Sequence, residues 1–394
     1  MGGGEGRRQL KAKSARVKVT KKSLERRPVP GLGPEAILAS VNDGVYATDR
    51  ERRIVYWSRS AERITGWRAR DVVGKRCSDD ILCHVDKDGN RLCVDEHCPL
   101  HRSMVSGKSS SFPIIVFAQG RSGSRIPLRV SVAPILDASG EIIGGVETFR
   151  DISAEMADIQ RVKRIQSLSL QRALPEDPRI KFAVHSVPRD VIGGDFYAVA
   201  RLDDDRFGFL LADVSGHGVP AALYTMYLGS LWETYRRLLD SPANFALRVN
   251  TRLHGLVGDE GAFAAGVCGV FDLKRKRLRF AGAGNPPPLL ARGGGFNRLD
   301  CSGMPLGCSG DAAYDEREVE LQRGDCLLVF TDGATEITRR TGGRLEVQGL
   351  MKVLRDIGYP RSDAGLDAIE KELLVRSNRI RFDDDLTILE ARIG

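Results

Sequence analysis

Apolar residues in the first part of the chain gather in short runs, each bounded by turn-forming residues. Ile54-Val55-Tyr56-Trp57, Phe112 to Phe117, Ile126 to Pro134 and Ile142 to Asp151 read as strands, the last two flanking a turn at Asp137-Ala138-Ser139-Gly140. Another strand is expected within Asp43 to Asp49, with short helices at Pro34 to Leu38 and Ser60 to Trp67. This order, with its antiparallel return, predicts a compact α+β fold. From Ile152 to about Ala173 no proline intervenes, and Ile152, Met156, Ile159, Val162, Ile165 and Leu168 recur at steps of four and three. That spacing predicts an amphipathic connector helix. Its stripe needs cover, and a parallel dimer through this first region and the connector is expected, the alternative being packing on the domain that follows.

The second part reads differently, because several of its apolar runs end on an acidic turn. Phe207 to Ala212 leads into Asp213, Cys326 to Phe330 leads into Asp332, and Asp383-Asp384-Asp385 precedes Leu386 to Leu389. Asp195 follows the pair Gly193-Gly194. Further strands are expected at Ile180 to His185, Ala265 to Asp272 and Arg277 to Ala283, the last two forming a hairpin, with helices at Pro220 to Leu239 and Ala243 to Val257. Four carboxylates at strand ends suit a hard cation such as magnesium or manganese, which prefers oxygen ligands. The plainer reading is that each aspartate only caps a turn.

The motifs GGDFY at Gly193, DVSGHGVPAAL at Asp213, AGAGNPPPLL at Ala281, FTDGATE at Phe330 and DDLTIL at Asp384 resemble, in this order, those of SpoIIE-type serine phosphatases. These form a bacterial branch of the metal-dependent (PPM) protein phosphatases, and the likeness covers roughly the last 230 residues. It implies a β-sandwich flanked by helices and two Mn2+ or Mg2+ ions. Asp195 and Asp213 would share the first ion; Asp213, the Val214 carbonyl, Asp332 and Asp384 would surround the second. Water readied between the ions would attack the phosphorus of a phosphoserine or phosphothreonine. His217 is a candidate acid for the leaving oxygen, or a polar turn residue only. Asp385 contacts metal-bound water or steadies its turn, and Asn285 positions substrate or forms a turn. Ala198 departs from the pattern, since Asp usually follows GGDFY. The family's typical substrate is a phosphorylated STAS-type anti-sigma-factor antagonist. No ATP-binding kinase motif or STAS segment follows here, so such partners are expected as separate chains. The competing reading is a non-enzymatic signalling scaffold with a degenerate phosphatase domain.

Residues 34 to 153 resemble a PAS domain, notably in AERITGW and VSVAPILDASGEIIGGVETFRDIS. The expected order is then a basic tail (1–33), a PAS sensor domain (34–153), a helical connector (154–174) and a phosphatase domain (175–394). Cys77, Cys83, Cys93 and Cys98, with His84, His97 and His101, crowd one turn-rich segment of the PAS region. Thiolate and imidazole suit zinc or iron, or a redox pair, yet the spacing is not a tight Cys-x-x-Cys, and inert thiols are the alternative. The ligand of the PAS domain is not named by its fold.

With 394 residues, of which 42% are hydrophobic, two ordinary domains can each bury a core. Much of the net charge of +8 sits in residues 1–27, where Lys and Arg crowd a Gly-rich stretch, so a solvated, disordered tail without a nucleic-acid partner is expected. The chain has no apolar run long enough to span a bilayer and no apolar secretion core near its start. It is therefore expected in the cytoplasm, where its eight cysteines stay free of structural disulfides.

Overall fold

The computed structural model describes residues 33–94, 97–110, 113–170, 173–257, 262–339, 342–360, 365–377 and 382–394. The basic tail, apart from its last residue, lies outside them. The first unit runs α1 (Pro34–Ser40), β1 (Gly44–Asp49), β2 (Ile54–Trp57), α2 (Arg59–Thr65), α3 (Ala69–Val72), α4 (Pro99–Ser106), β3 (Ile114–Gln119), β4 (Arg125–Leu136) and β5 (Ile142–Asp151). Its five strands form one antiparallel sheet in the order β2-β1-β5-β4-β3. Phe112, expected to open β3, lies outside the described residues. Ser58 starts α2 by accepting the Ala61 amide on its hydroxyl, as N-cap serines do. The inner face of the sheet, with Tyr46, Val116, Leu128, Val130 and Phe149, packs on Ile81, Leu82, Leu100 and Met104.

Helix α5 (Ser153–Leu170) follows β5 directly. Its expected stripe is divided between two neighbours. Ile152 and Met156 are buried, and the Ile152 amide donates to the Pro127 carbonyl of β4. Farther along, Gln166 is buried and Leu170 joins the core of the next unit. Ile165 and Leu168 remain 54% and 67% exposed.

The second unit continues with β6 (Ile180–Val187), β7 (Asp195–Arg201), β8 (Arg206–Val214), α6 (Val219–Tyr235), α7 (Pro242–Val257), β9 (Ala264–Asp272) and β10 (Arg277–Ala283). It closes with β11 (Leu289–Arg292), β12 (Gly295–Arg298), β13 (Arg317–Glu320), β14 (Cys326–Phe330), α8 (Glu346–Asp356), α9 (Leu366–Ser377) and β15 (Leu386–Ile393). Two five-stranded sheets result, ordered β13-β10-β9-β8-β7 and β12-β11-β14-β15-β6. Between them pack Phe207, Phe209, Leu211 and Phe271 of the first sheet and Leu327, Val329 and Leu389 of the second. On the outer faces, α6 and α7 cover the first sheet through Trp232 and Phe245, while α8 and α9 cover the second through Leu350 and Ile369. Strand β8 is apolar from Phe207 to Ala212 because both of its faces are covered there: Phe207, Phe209 and Leu211 pack with the other sheet, Leu210 and Ala212 with the helices. Each large side chain so buried contributes about 1.5–3 kcal/mol relative to exposure. Among the described residues, no helix is long and apolar enough to cross a membrane.

Candidate active site

The sandwich brings its acidic turns to one end. Asp195 opens β7 and stands directly opposite Asp213 near the end of β8. In the second sheet, β14 and β15 pair with Phe330 opposite Ile388, so Asp332, just past β14, and Asp384, just before β15, emerge together. Burial pushes the carboxyls of Asp195 and Asp213 well above the usual range, and each is raised further by acidic neighbours: Asp195 by Asp213, and Asp213 by Asp332 and Asp384. Asp332 is pushed up to about 6, by burial first and then by the charge of Asp384. Four widely separated aspartates therefore act on one another, which is the convergence expected from the strand-end pattern.

The donor set fits a divalent cation. Asp195 Oδ1 and Asp332 Oδ1 are buried without a hydrogen-bond partner, and a buried carboxylate oxygen left unpaired is costly unless a cation or proton satisfies it. Among the described residues, no three His, Cys, Asp or Glu side chains already enclose a single ion position. The other oxygen of Asp195 is held by a neighbour to which the sequence reading gave no role. Thr331 donates its hydroxyl to Asp195 Oδ2 at 3.0 Å and accepts the Thr387 amide at 2.9 Å, tying the two sheets together beside the acidic group. The sequence signal for it was a threonine immediately before the Asp-Gly turn.

Asp385 accepts the Arg189 amide at 2.6 Å and the Gly194 amide, so it holds the turn that leads into Asp195. Of its two expected roles, this geometry supplies the turn. Arg189 itself is exposed. Close approach requires glycine at position 333 and crowds any side chain at 194. A Cβ on Gly333 would stand 1.9 Å from the Asp385 carbonyl oxygen, and one on Gly194 would stand 3.0 Å from the Val214 carbonyl oxygen. Asn285 donates to the Phe330 carbonyl at 2.9 Å and to that of Pro286, anchoring its proline loop to the end of β14. Ala198 is buried in the apolar core against the helices.

His217 stands at the rim with its side chain 69% exposed, its Nδ1 3.7 Å from Asp190 Oδ2. Gln166 of α5 reaches the site from outside the sandwich. Its Nε2 donates to the Gly193 carbonyl at 3.2 Å and to the Thr225 hydroxyl of α6 at 2.7 Å. A cleft of about 460 Å³ beside Asp195 is lined by Lys163, Gln166, Leu170, Ile192 and Asp385. Gln166 had no place in the sequence reading because it falls just off the apolar stripe of the connector.

Among the described residues, the cysteine segment of the first unit does not gather three thiols or imidazoles around one ion position. Cys77, Cys83 and Cys98 are buried, Cys93 is half-buried, and all are free thiols. The Cys83 thiol turns to the Ser78 carbonyl at 3.5 Å. His84 is buried, whereas His97 and His101 are half-buried, and His101 lines an outer pocket with Arg50 and Glu141.

Residues 203–394 match the family described as Stage II sporulation protein E (SpoIIE), and residues 34–152 match the PAS fold. The SpoIIE match begins after Asp195, whose place in the site rests on its pairing with Asp213. The chain is similar to the phosphoserine phosphatase RsbU of Bacillus subtilis, with 25% identity over 62% of this chain and 73% of the relative. It is also similar to the phosphoserine phosphatase RsbP of the same organism, with 26% identity over 46% of each. Among solved structures, the SiaA-PP2C domain of Pseudomonas aeruginosa shares the fold, with a TM-score of 0.53 and 22% identity over 62% of this chain and 99% of that domain. The chain thus joins a PAS domain to a SpoIIE-type serine/threonine phosphatase domain of the PPM class.

Proposed function

We propose that this protein hydrolyses phosphoserine or phosphothreonine on a separate protein, using two Mn2+ or Mg2+ ions held by Asp195, Asp213, Asp332, Asp384 and the Val214 carbonyl. The observation that carries this reading is the placement of Asp213, which faces Asp195 across the β7–β8 pair and is raised by Asp332 and Asp384 from the other sheet. Bound in such a carboxylate set, a pair of divalent cations supplies charge neutralisation for the phosphate and a nucleophile at neutral pH. Thr331 orients Asp195, and Asp385 fixes the backbone of the turn before it. His217, exposed at the rim beside Asp190, is the candidate proton donor to the departing seryl oxygen.

By analogy with SpoIIE-type phosphatases, the substrate is a phosphorylated STAS-type antagonist of an anti-sigma factor, and the PAS domain governs the rate. Support for that control is the α5 side chain of Gln166, bonded both to Gly193 of the site loop and to Thr225 of α6. Exposed Ile165 and Leu168 on α5 and Leu223 on α6 support a homodimer through PAS and connector, with a second copy as their cover. Release of phosphate from phosphorylated antagonist candidates tests the reading: turnover that requires manganese and vanishes in Asp213→Asn supports it. Full-length protein inactive on phosphoprotein and p-nitrophenyl phosphate alike, with saturating manganese, sinks it in favour of a scaffold.

A further inference from the structure

The connector helix supplies one wall of the cleft beside Asp195. Helix α5 is pinned there by Gln166, whose Nε2 donates to the Gly193 carbonyl at 3.2 Å and to the Thr225 hydroxyl at 2.7 Å. Lys163, Gln166, Ser167 and Leu170 are spaced by threes and fours, so they share one face of the helix. All four line the cleft of about 460 Å³, whose other wall includes Val191 and Asp195. The cleft therefore joins the connector to a carboxylate of the active site.

The charge that this cleft offers to a ligand comes from Lys163. Two acidic side chains line it, Asp195 and Asp385. Both oxygens of Asp385 accept backbone amides, from Arg189 at 2.6 Å and from Gly194. Asp195 has one oxygen on the Thr331 hydroxyl, and its other oxygen belongs to the proposed cation ligands. Lys163 is exposed, and among the described residues no other cationic side chain lines the cleft. Leu170 and Val191 add apolar surface beside it. With its carboxylates engaged, the cleft complements an extended segment that carries an acidic side chain.

The apolar surface of α5 that calls for a second copy of the chain lies elsewhere on the helix. At 3.6 residues per turn, exposed Ile165 and Leu168 stand on the side away from Lys163 and Leu170. A partner copy seated on them leaves the cleft open. Its continuity with Asp195 makes the substrate protein the occupant. We propose that Lys163 is a specificity-determining residue, which binds an acidic side chain of the substrate protein beside its phosphoserine. The inference rests on the phosphatase reading above and narrows its substrate class to phosphoproteins with acidic flanks. The helix that links the PAS domain to the phosphatase domain is thereby part of the docking surface.

The experiment uses full-length protein with saturating manganese and two synthetic decapeptides, each with one central phosphoserine. Asp flanks the phosphoserine on both sides in one peptide, and Asn of the same shape flanks it in the other. The readout is the ratio of kcat/KM for the Asp peptide to that for the Asn peptide, which cancels any change in the chemical step. A wild-type ratio of about fivefold is expected, the scale of one partly exposed charge pair. Lys163→Arg should keep it, Lys163→Gln should bring it near one, and Lys163→Glu should invert it.

Lys274→Glu makes the same change in net charge on the exposed β9–β10 turn, at the end of the sandwich away from Asp213, and should keep the wild-type ratio. A wild-type ratio near one, a preference that survives both Lys163→Gln and Lys163→Glu, or an equal loss in Lys274→Glu would overturn the proposal. So would wild type that hydrolyses p-nitrophenyl phosphate but neither peptide. Wild type inactive on p-nitrophenyl phosphate as well would sink the phosphatase reading, and this proposal with it, so the two failures are told apart.

Discussion

Two regions of this chain take carboxylates out of water, in different settings. In the phosphatase domain, Asp195, Asp213, Asp332 and Asp384 stand at strand ends, where turns can adjust and ions can enter. In the PAS domain, Glu147 sits within β5, bonded across to Tyr46 and enclosed by the sheet and the segment that covers it. The first arrangement leaves like charges to repel until a cation joins them. The second is eased by the Tyr46 hydroxyl and by burial, which pushes Glu147 up to about 8 and so keeps it protonated near neutrality. A strand end thus leaves room for exchangeable ions, while a mid-strand carboxyl is accommodated by losing its charge.

Removing the carboxylate that joins both halves of the phosphatase pocket should have the largest effect. Asp213→Asn, close in size to the original, is expected to lower kcat/KM by at least about 100-fold, the scale of losing a group that stabilises transition-state charge. The same change should leave the melting temperature near or above wild type, because it relieves repulsion. Steady-state phosphate release and calorimetry check the two halves of that statement.

Thr331→Val comes next. It leaves the Asp195 oxygen and the Thr387 amide without their shared hydroxyl, which should cost about 1–3 kcal/mol of stability in denaturant unfolding. A loss below experimental error would show that the link between sheets contributes little.

The strand-end aspartates were legible before any coordinates, because the runs before Asp213 and Asp332 stop on acidic turns and the run after Asp385 starts from one, and a strand such as β8, covered on both faces, announces itself as the apolar stretch Phe207 to Ala212. Both sheets of the sandwich and the long helices were foreseen in outline, whereas α8, α9 and the short pair β11–β12 were not named. What could not be read were the contacts made at a distance. Thr331 reaches Asp195 across 136 positions, and Gln166 reaches Thr225 across 59. Glu147 was hidden for another reason: a single acidic residue in GGVETF looks like an outward-facing one unless the register of β5 is known. In the cysteine segment, the residue types pointed to chemistry, yet only folding separates inward His84 from His101 at the outer pocket.

A pH series sharpens the comparison further. Asp332 and Asp213 titrate at about 6 and about 8 because burial and acidic neighbours disfavour their charged forms. Without cations, their contribution to folding is fully present below the usual carboxylate range and is lost as pH rises through those two values. Manganese competes with the same protons, so the rise in melting temperature it produces over EDTA should grow from pH 6 to pH 8. A difference that stays flat over this interval contradicts a cation site built from these aspartates.

The smallest expected effect lies at the joint between the two domains. Gln166→Leu removes bonds to Gly193 and Thr225. At about 1 kcal/mol, this should shift the manganese concentration for half-maximal rate by roughly fivefold. Unchanged manganese dependence would mean that α5 touches the site loop without influencing it.

Calorimetric titration of the metal-stripped phosphatase with manganese is the most direct measurement of all, performed on wild type and Asp213→Asn in parallel. Two bound ions in the wild type, with binding largely abolished in the variant, is the predicted result. Equal stoichiometry and affinity in the two proteins would contradict the assignment of Asp213 as the ligand common to both ions.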